Sequence, residues 1–145
     1  AKINLFLHIT SKRADGYHYL QTIFQLLDFC DEISFSVRQD GQINRIEGNE
    51  DISPEDDLLI KSARALKKYS NSSLGVDLSI NKQIPSVGGL GGGSSNAATV
   101  LLALNELWQL NLDQQTLVDM GLTWGADVPV FVSGRSAWAQ GIGEI

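Results

Sequence analysis

The sequence predicts an α+β fold, with helices on one face of a mostly antiparallel or mixed sheet. Three observations predict it. Strand-type alternation dominates the first 47 residues, and helical stripes with recognisable caps dominate much of the remaining chain. The stretch 97–110 is apolar nearly all round (Ala97, Ala98, Val100, Leu101, Leu102, Ala103, Leu104, Leu107, Trp108), and such a helix must be buried. Strands first and helices interspersed later is the order of α+β layers.

Each element has its own local signal. Ile3, Leu5, Leu7 and Ile9 alternate with Asn4, Phe6 and His8, which predicts a half-buried first strand. Arg13-Ala14-Asp15-Gly16 reads as a turn, residues 17–28 as mostly β-prone, and Glu32 to Val37 as a further strand. Asp40-Gly41 between two β-like runs predicts a hairpin, with Gln42 to Glu47 returning. Ser53-Pro54-Glu55-Asp56 carries the signals that open a helix, and Leu58, Leu59, Ala63 and Leu66 give its stripe. Lys67 and Lys68 stand near its end, where cations belong. Gly75 to Ile80 is strand-like. A second helix covers 97–110, and a third runs from Asp113, its cap, to Gly121. Val128 to Val132 reads as a short buried strand, and Ala137 to Ala139 begins another.

Composition narrows the function. The 145 residues carry eleven Lys+Arg and seventeen Asp+Glu, a net charge of −6. A chain of this length is one domain that buries roughly 70% of its unfolded surface. Hydrophobic residues at 43% and charged residues at 19% exclude disorder and coiled coil. The acidic balance argues against a nucleic-acid partner, because phosphate backbones demand a basic surface. No apolar run approaches the roughly 18 residues of a membrane helix, so no membrane partner is expected. Cys30 stands alone, which suits a reducing compartment, and the cytoplasm is the expected location. With one cysteine and two histidines, no Cys or His metal cage is expected. The chain starts without Met and stops at Gly143-Glu144-Ile145 with no closing element, which suggests part of a longer reading frame.

The informative segment is Pro85-Ser86-Val87-Gly88-Gly89-Leu90-Gly91-Gly92-Gly93-Ser94-Ser95-Asn96. Five glycines in six residues let backbone approach a ligand without a Cβ in the way. A helix begins here, with unpaired N–H groups and about half a positive charge at its start. Together these make an anion site, most often for phosphate. Neither G-x-x-x-x-G-K-[ST] nor a complete G-x-G-x-x-G is present, which excludes the Walker and dinucleotide loops. Composition alone says phosphate and does not say which.

The segment P-x-x-x-G-L-G-G-G-S-S-N-A-A, from Pro85 to Ala98, resembles the second signature of the GHMP kinases. Ala1 to Leu7, Arg13-Ala14-Asp15-Gly16-Tyr17-His18 and Leu122 to Phe131 agree with one branch of that family, in order and over the whole length. The branch phosphorylates the 2-hydroxyl of 4-diphosphocytidyl-2-C-methyl-D-erythritol with ATP, giving the 2-phosphate and ADP on the methylerythritol phosphate route to isoprenoids. The resemblance implies a ribosomal-protein-S5-like N-terminal domain over residues 1–145. A second GHMP domain would follow residue 145 and complete the substrate wall. It implies ATP and Mg²⁺, the metal carried mainly by the phosphates.

Site residues follow from the same resemblance. Asp127 resembles the catalytic aspartate and Lys2 the catalytic lysine paired with it. At about 4 Å their attraction is about 4 kcal/mol at an effective dielectric of 20. An ionised Asp is a weak base, so Asp127 would orient the hydroxyl and accept its proton late, while Lys2 stabilises developing charge. Asn4, Tyr17 and His18 resemble substrate-binding residues: Tyr17 would stack on cytosine and His18 bond its edge. Pro85, Gly88, Gly89, Leu90, Gly91, Gly92, Gly93, Ser94, Ser95 and Lys82 would bind the nucleotide. The hydroxyls of Ser94 and Ser95 either reach phosphate or magnesium or cap the helix. Asp57 departs from the family, which often has Asn there. It is expected near adenine, although a carboxylate cannot donate as an amide does. His8 has no role, and Trp108, Trp124 and Trp138 read as packing residues. Two rivals stay open: a homoserine or mevalonate kinase of the same family, and a non-catalytic nucleotide-binding module.

Overall fold

A computed structural model describes residues 1–12 and 18–141. The elements run β1 (Lys2–Lys12), β2 (His18–Leu26), β3 (Glu32–Arg38), β4 (Ile43–Glu47), α1 (Leu58–Ser70), β5 (Gly75–Asn81), α2 (Gly92–Leu107), α3 (Gln114–Leu122), α4 (Val128–Ser133) and β6 (Ala137–Gly141). They form two three-stranded sheets. One is antiparallel in the order β1-β2-β6, and the other is mixed in the order β3-β5-β4.

The expected β3–β4 hairpin does not form. Gly41 makes a left-handed turn at φ 73°, but β5 lies between the two strands. β5 is antiparallel to β3 and parallel to β4. Its Val76, Leu78 and Ile80 are among the most buried side chains, so the strand takes the centre and the less apolar β3 and β4 take the edges. Parallel neighbours need a crossover, and α1 supplies it between β4 and β5. α1 also starts later than its sequence signals suggest. Ser53 to Asp56 close a turn, with Asp57 N–H donating to Ser53 O, and Asp57 is the cap that accepts from Leu59 N–H.

α4 is the second correction. The run Val128-Pro129-Val130-Phe131-Val132 is a helix, not a strand. Its residues 128, 129, 130 and 132 are all buried, so burial gives no period by which strand and helix differ. Proline in the first turn and Gly134 at φ 67° after the last favour the helix. α4 then joins two apolar clusters. Val128 and Val132 pack with α1, α2, α3 and β5, whereas Val130 packs with Phe24 and Ala139 of the β1-β2-β6 sheet.

α2 begins at Gly92 rather than near residue 97, so the last two loop glycines and both serines are its first turn. α3 starts after Asp113 as expected and ends at Leu122. In β1 burial alternates only from Lys2 to Phe6, with its faces exchanged, and residues 7–11 are all exposed. Lys2 is buried, while Leu5 and Ile9 are 57% and 61% exposed. Between the pairs Asn4↔Phe24 and Leu7↔Thr22, β1 has one extra residue, a bulge that switches the faces of the strand. Phe6 within it packs at a tilt against Trp138, at 5.6 Å between ring centroids and 58° between ring planes.

Candidate active site

β1 and α4 bring residues 2 and 127 together. Lys2 Nζ lies 3.0 Å from Asp127 Oδ2 and donates to Asn4 Oδ1 at 2.7 Å. It also stands 5.0 Å from the centroid of the Phe24 ring. The Lys2 side chain is 7% exposed and that of Asp127 is 31%. At this separation the attraction is about 5 kcal/mol at an effective dielectric of 20, before the cost of desolvating the ammonium. Asp127 is the residue before α4, yet its side chain makes no capping bond. Its second oxygen, Oδ1, takes no hydrogen bond among the described residues and stays available at the surface.

Asn4 is oriented from behind. Its amide donates to Thr22 Oγ1 at 2.7 Å, and Thr22 donates to the Phe6 carbonyl at 2.6 Å. Thr22 and Phe24 are parts of the site that sequence reasoning missed. Their β2 positions become meaningful only through the register, which sets Asn4 opposite Phe24.

The glycine-rich loop abuts this pair. Lys2 N–H donates to Leu90 O at 2.9 Å. The glycines divide by task. A Cβ at Gly91 (φ 71°) would lie 2.9 Å from the Phe131 ring and 3.2 Å from Lys2 Cγ. One at Gly92 would lie 3.0 Å from Ile84 and 3.1 Å from Lys82 Nζ. These two glycines allow close packing. Gly88 and Gly89 instead border open space with positive φ, so backbone there is uncovered.

The start of α2 is rich in free donors. The first intrahelical bond is Ser95 N–H to Gly91 O, leaving the N–H groups of Gly92, Gly93 and Ser94 without helical partners. The cap Gly91 offers no side chain, and the hydroxyls of Ser94 and Ser95 make no hydrogen bond among the described residues. The alternative of a serine cap is thereby removed. Backbone and hydroxyl donors around an open, left-handed glycine stretch fit a phosphate chain. Among the described residues no group of three or more His, Cys, Asp or Glu is placed to hold a metal.

Lys82 stands beside the loop, but its ammonium is engaged: it donates to Asp31 Oδ2 at 2.6 Å and to Ile84 O at 2.5 Å. It also lines a polar cavity of about 460 Å³, together with Glu32, Glu47, Asn49, Ser79 and Asn81. Asp57 corrects the adenine expectation. Its carboxylate is 3% exposed, accepts from Arg45 at 2.6 Å, Asn49 at 3.2 Å and Leu59 N–H at 2.9 Å, and has no face left for a base. The neighbouring Leu58 reaches within 3.3 Å of a Cβ built at Gly93, so Asp57 braces the helix that backs the loop. Pro85 is an exposed residue at the loop entrance. Tyr17 lies outside the described residues. His18 pairs with Lys12 at the far end of the β1–β2 ladder, and its side chain lies outside the description.

Comparison with known proteins shows the family. The family described as GHMP kinases N terminal domain matches residues 57–135, just over half of the chain. The 4-diphosphocytidyl-2-C-methyl-D-erythritol kinase of Ruthia magnifica is 60% identical over the whole chain, which covers 51% of that relative. The chain thus spans about half the length of the curated relatives it matches. A crystal structure of 4-(cytidine 5'-diphospho)-2C-methyl-D-erythritol kinase superposes with a TM-score of 0.86 at 38% identity, covering 99% of this chain and 51% of the other. Homoserine kinase from Cytophaga hutchinsonii gives a TM-score of 0.58 at 13% identity, over 81% of this chain and 37% of the other, and shares the fold alone.

Proposed function

Because the chain belongs to the GHMP kinases as their N-terminal domain, we propose that the protein containing it transfers the γ-phosphate of ATP to the 2-hydroxyl of 4-diphosphocytidyl-2-C-methyl-D-erythritol. The products are the 2-phosphate and ADP, a step in isoprenoid synthesis. The observation that carries the chemistry is the Lys2–Asp127 pair beside the phosphate-type loop, with one aspartate oxygen open. The substrate is supported by the names of the relatives at 54–60% identity and of the structure at 38%.

The roles follow from charge and geometry. Asp127 Oδ1 accepts the hydrogen bond of the substrate hydroxyl and orients its oxygen toward the γ-phosphorus. As the new P–O bond forms and the bond to ADP breaks, the hydroxyl proton passes to Asp127. Phosphoryl transfer through a loose transition state needs no full deprotonation beforehand, so a weak base suffices. Lys2 is held between Asn4 and Asp127 and opposes the charge that develops on the transferring group. The α2 N–H groups and the Ser94 and Ser95 hydroxyls receive the phosphates. Mg²⁺, when bound, neutralises phosphate charge; the free hydroxyls of Ser94 and Ser95 are this chain's donors toward it. The polar cavity by Lys82 takes the nucleoside end of ATP, away from Lys2. Tyr17 and His18 take the cytosine. The rest of the protein completes the substrate wall, and the cytoplasm is the proposed location; among the described residues no helix is long and apolar enough to cross a membrane.

ADP release from the complete reading frame, with and without the cytidine substrate, tests this. Release that depends on that substrate is the expected result. Release with homoserine or mevalonate instead would overturn the roles of Tyr17 and His18, and no release with any alcohol would overturn the kinase reading.

A further inference from the structure

We propose that Asp31 is a positioning residue that holds the segment entering the glycine-rich loop and so sets the geometry of the phosphate donors. Its side chain is fully buried in the β2–β3 connection. Oδ1 accepts from the backbone N–H groups of Gln83 and Ile84, each at 2.7 Å. Oδ2 accepts from Lys82 Nζ at 2.6 Å. Residues 82–84 enter the loop, and Lys82 Nζ lies 3.1 Å from the position a Cβ would take at Gly92, the first residue of α2, so one carboxylate holds the entering segment directly and abuts the start of the helix through Lys82.

The charge is as informative as the geometry. A bare carboxylate beside a site for a polyanion would repel its ligand. Lys82 neutralises it, which explains why this lysine beside the loop spends its ammonium on protein rather than pointing it freely outward. Burial alone would raise the Asp31 pKa. The bonds from Lys82, Ile84 and Gln83 outweigh it and hold the carboxyl below its usual range. Only an anion satisfies this set: an amide has one acceptor oxygen and would turn its NH₂ toward Lys82, donor against donor. Asp31 touches no reacting atom. It acts through the donors it holds still, as preorganised binding requires.

This inference rests on the loop as the ATP phosphate site, and the test separates the two. In the full-length protein, Asp31→Asn should raise KM for ATP about tenfold, the loss of one or two charge-assisted bonds. The KM for the alcohol substrate and kcat should stay within about twofold. Amide exchange should quicken over 83–95 while β5 keeps its protection. An unchanged KM for ATP, or equal loss in both KM values with exchange quickened everywhere, would overturn the positioning role. Should that variant not fold, Asp31→Glu keeps the charge but displaces the acceptor oxygens, and a rise of about threefold in KM for ATP is expected; no rise overturns the proposal. A wild-type protein that binds no ATP would sink the loop reading itself, whereas binding unaffected in both variants sinks only Asp31.

Discussion

Two of the lysine- or arginine-to-aspartate pairs, Arg45–Asp57 at 2.6 Å and Lys2–Asp127 at 3.0 Å, have opposite designs. Arg45–Asp57 is closed. Both carboxylate oxygens of Asp57 are taken, by Arg45 and Asn49 on one side and the α1 backbone on the other, and water barely reaches it. Lys2–Asp127 is open on one side. The ammonium is buried and braced by Asn4, but Asp127 keeps an oxygen at the surface. A pair that satisfies itself is scaffold. A pair that buries its cation and leaves an acceptor exposed has room for a third party. The count of satisfied lone pairs separates the two cases where charge and distance do not.

The largest effect should come from opening the difference at its functional end. Asp127→Asn keeps the shape and removes the proton acceptor and the charge. Turnover in the full-length protein should fall by about a thousandfold or more, some 4 kcal/mol, while ATP still binds through the loop. Turnover within tenfold of wild type would remove Asp127 from the chemistry. The mirror-image experiment is Arg45→Met, which strands the buried Asp57 carboxylate. Denaturant unfolding should show a loss of about 3–5 kcal/mol. Adding Asp57→Asn should recover most of it, because Asn keeps the cap acceptor without the buried charge. A single variant as stable as wild type would mean that Asp57 is no scaffold.

The loop gives a milder test, at the seam between the open pair and the phosphate donors. Gly91→Val forces a branched side chain into the left-handed region at φ 71° and into Phe131 and Lys2 Cγ. Binding of ATP by titration calorimetry should weaken by about tenfold or more. Unaltered affinity would contradict the close approach on which the loop reading depends.

Local signals were legible in the sequence where local chemistry decides the outcome. The Asp113 cap of α3, the β5 strand and the helix that opens out of the glycine run all depend on neighbours within a few positions. The misread features depend on distant partners. β4 left β3 because β5, some 30 residues on, needed the sheet centre. Asp57 turned from adenine to scaffold because Arg45 sits on the strand beneath it. Asp31 carried no signal at all, since its donors at 82–84 are 51 to 53 residues away. Lys2 and Asp127 were found through a family resemblance; spacing cannot pair residues from opposite ends of a chain.

The smallest expected effect concerns the Lys82–Asp31 pair, a closed pair that serves the open site. Its carboxyl is depressed below the usual 3.8 when folded. Above that value Asp31 is ionised in both the folded and unfolded chains, and its favourable bonds contribute in full. As pH falls through the depressed folded value, the carboxyl is protonated in both states and the contribution is gone. Other acids are depressed too: Arg38 holds Asp40 down to about 2, so the wild-type slope alone does not isolate one group. Comparison with Asp31→Asn does, because those acids are common to both proteins. Melting temperatures from pH 6 to pH 2 should show the wild type ahead at the upper end and the gap narrowing toward the lower. A gap that stays constant would mean that the charge of Asp31 adds nothing to its hydrogen bonds, and that the pair differs from Lys2–Asp127 only in being buried.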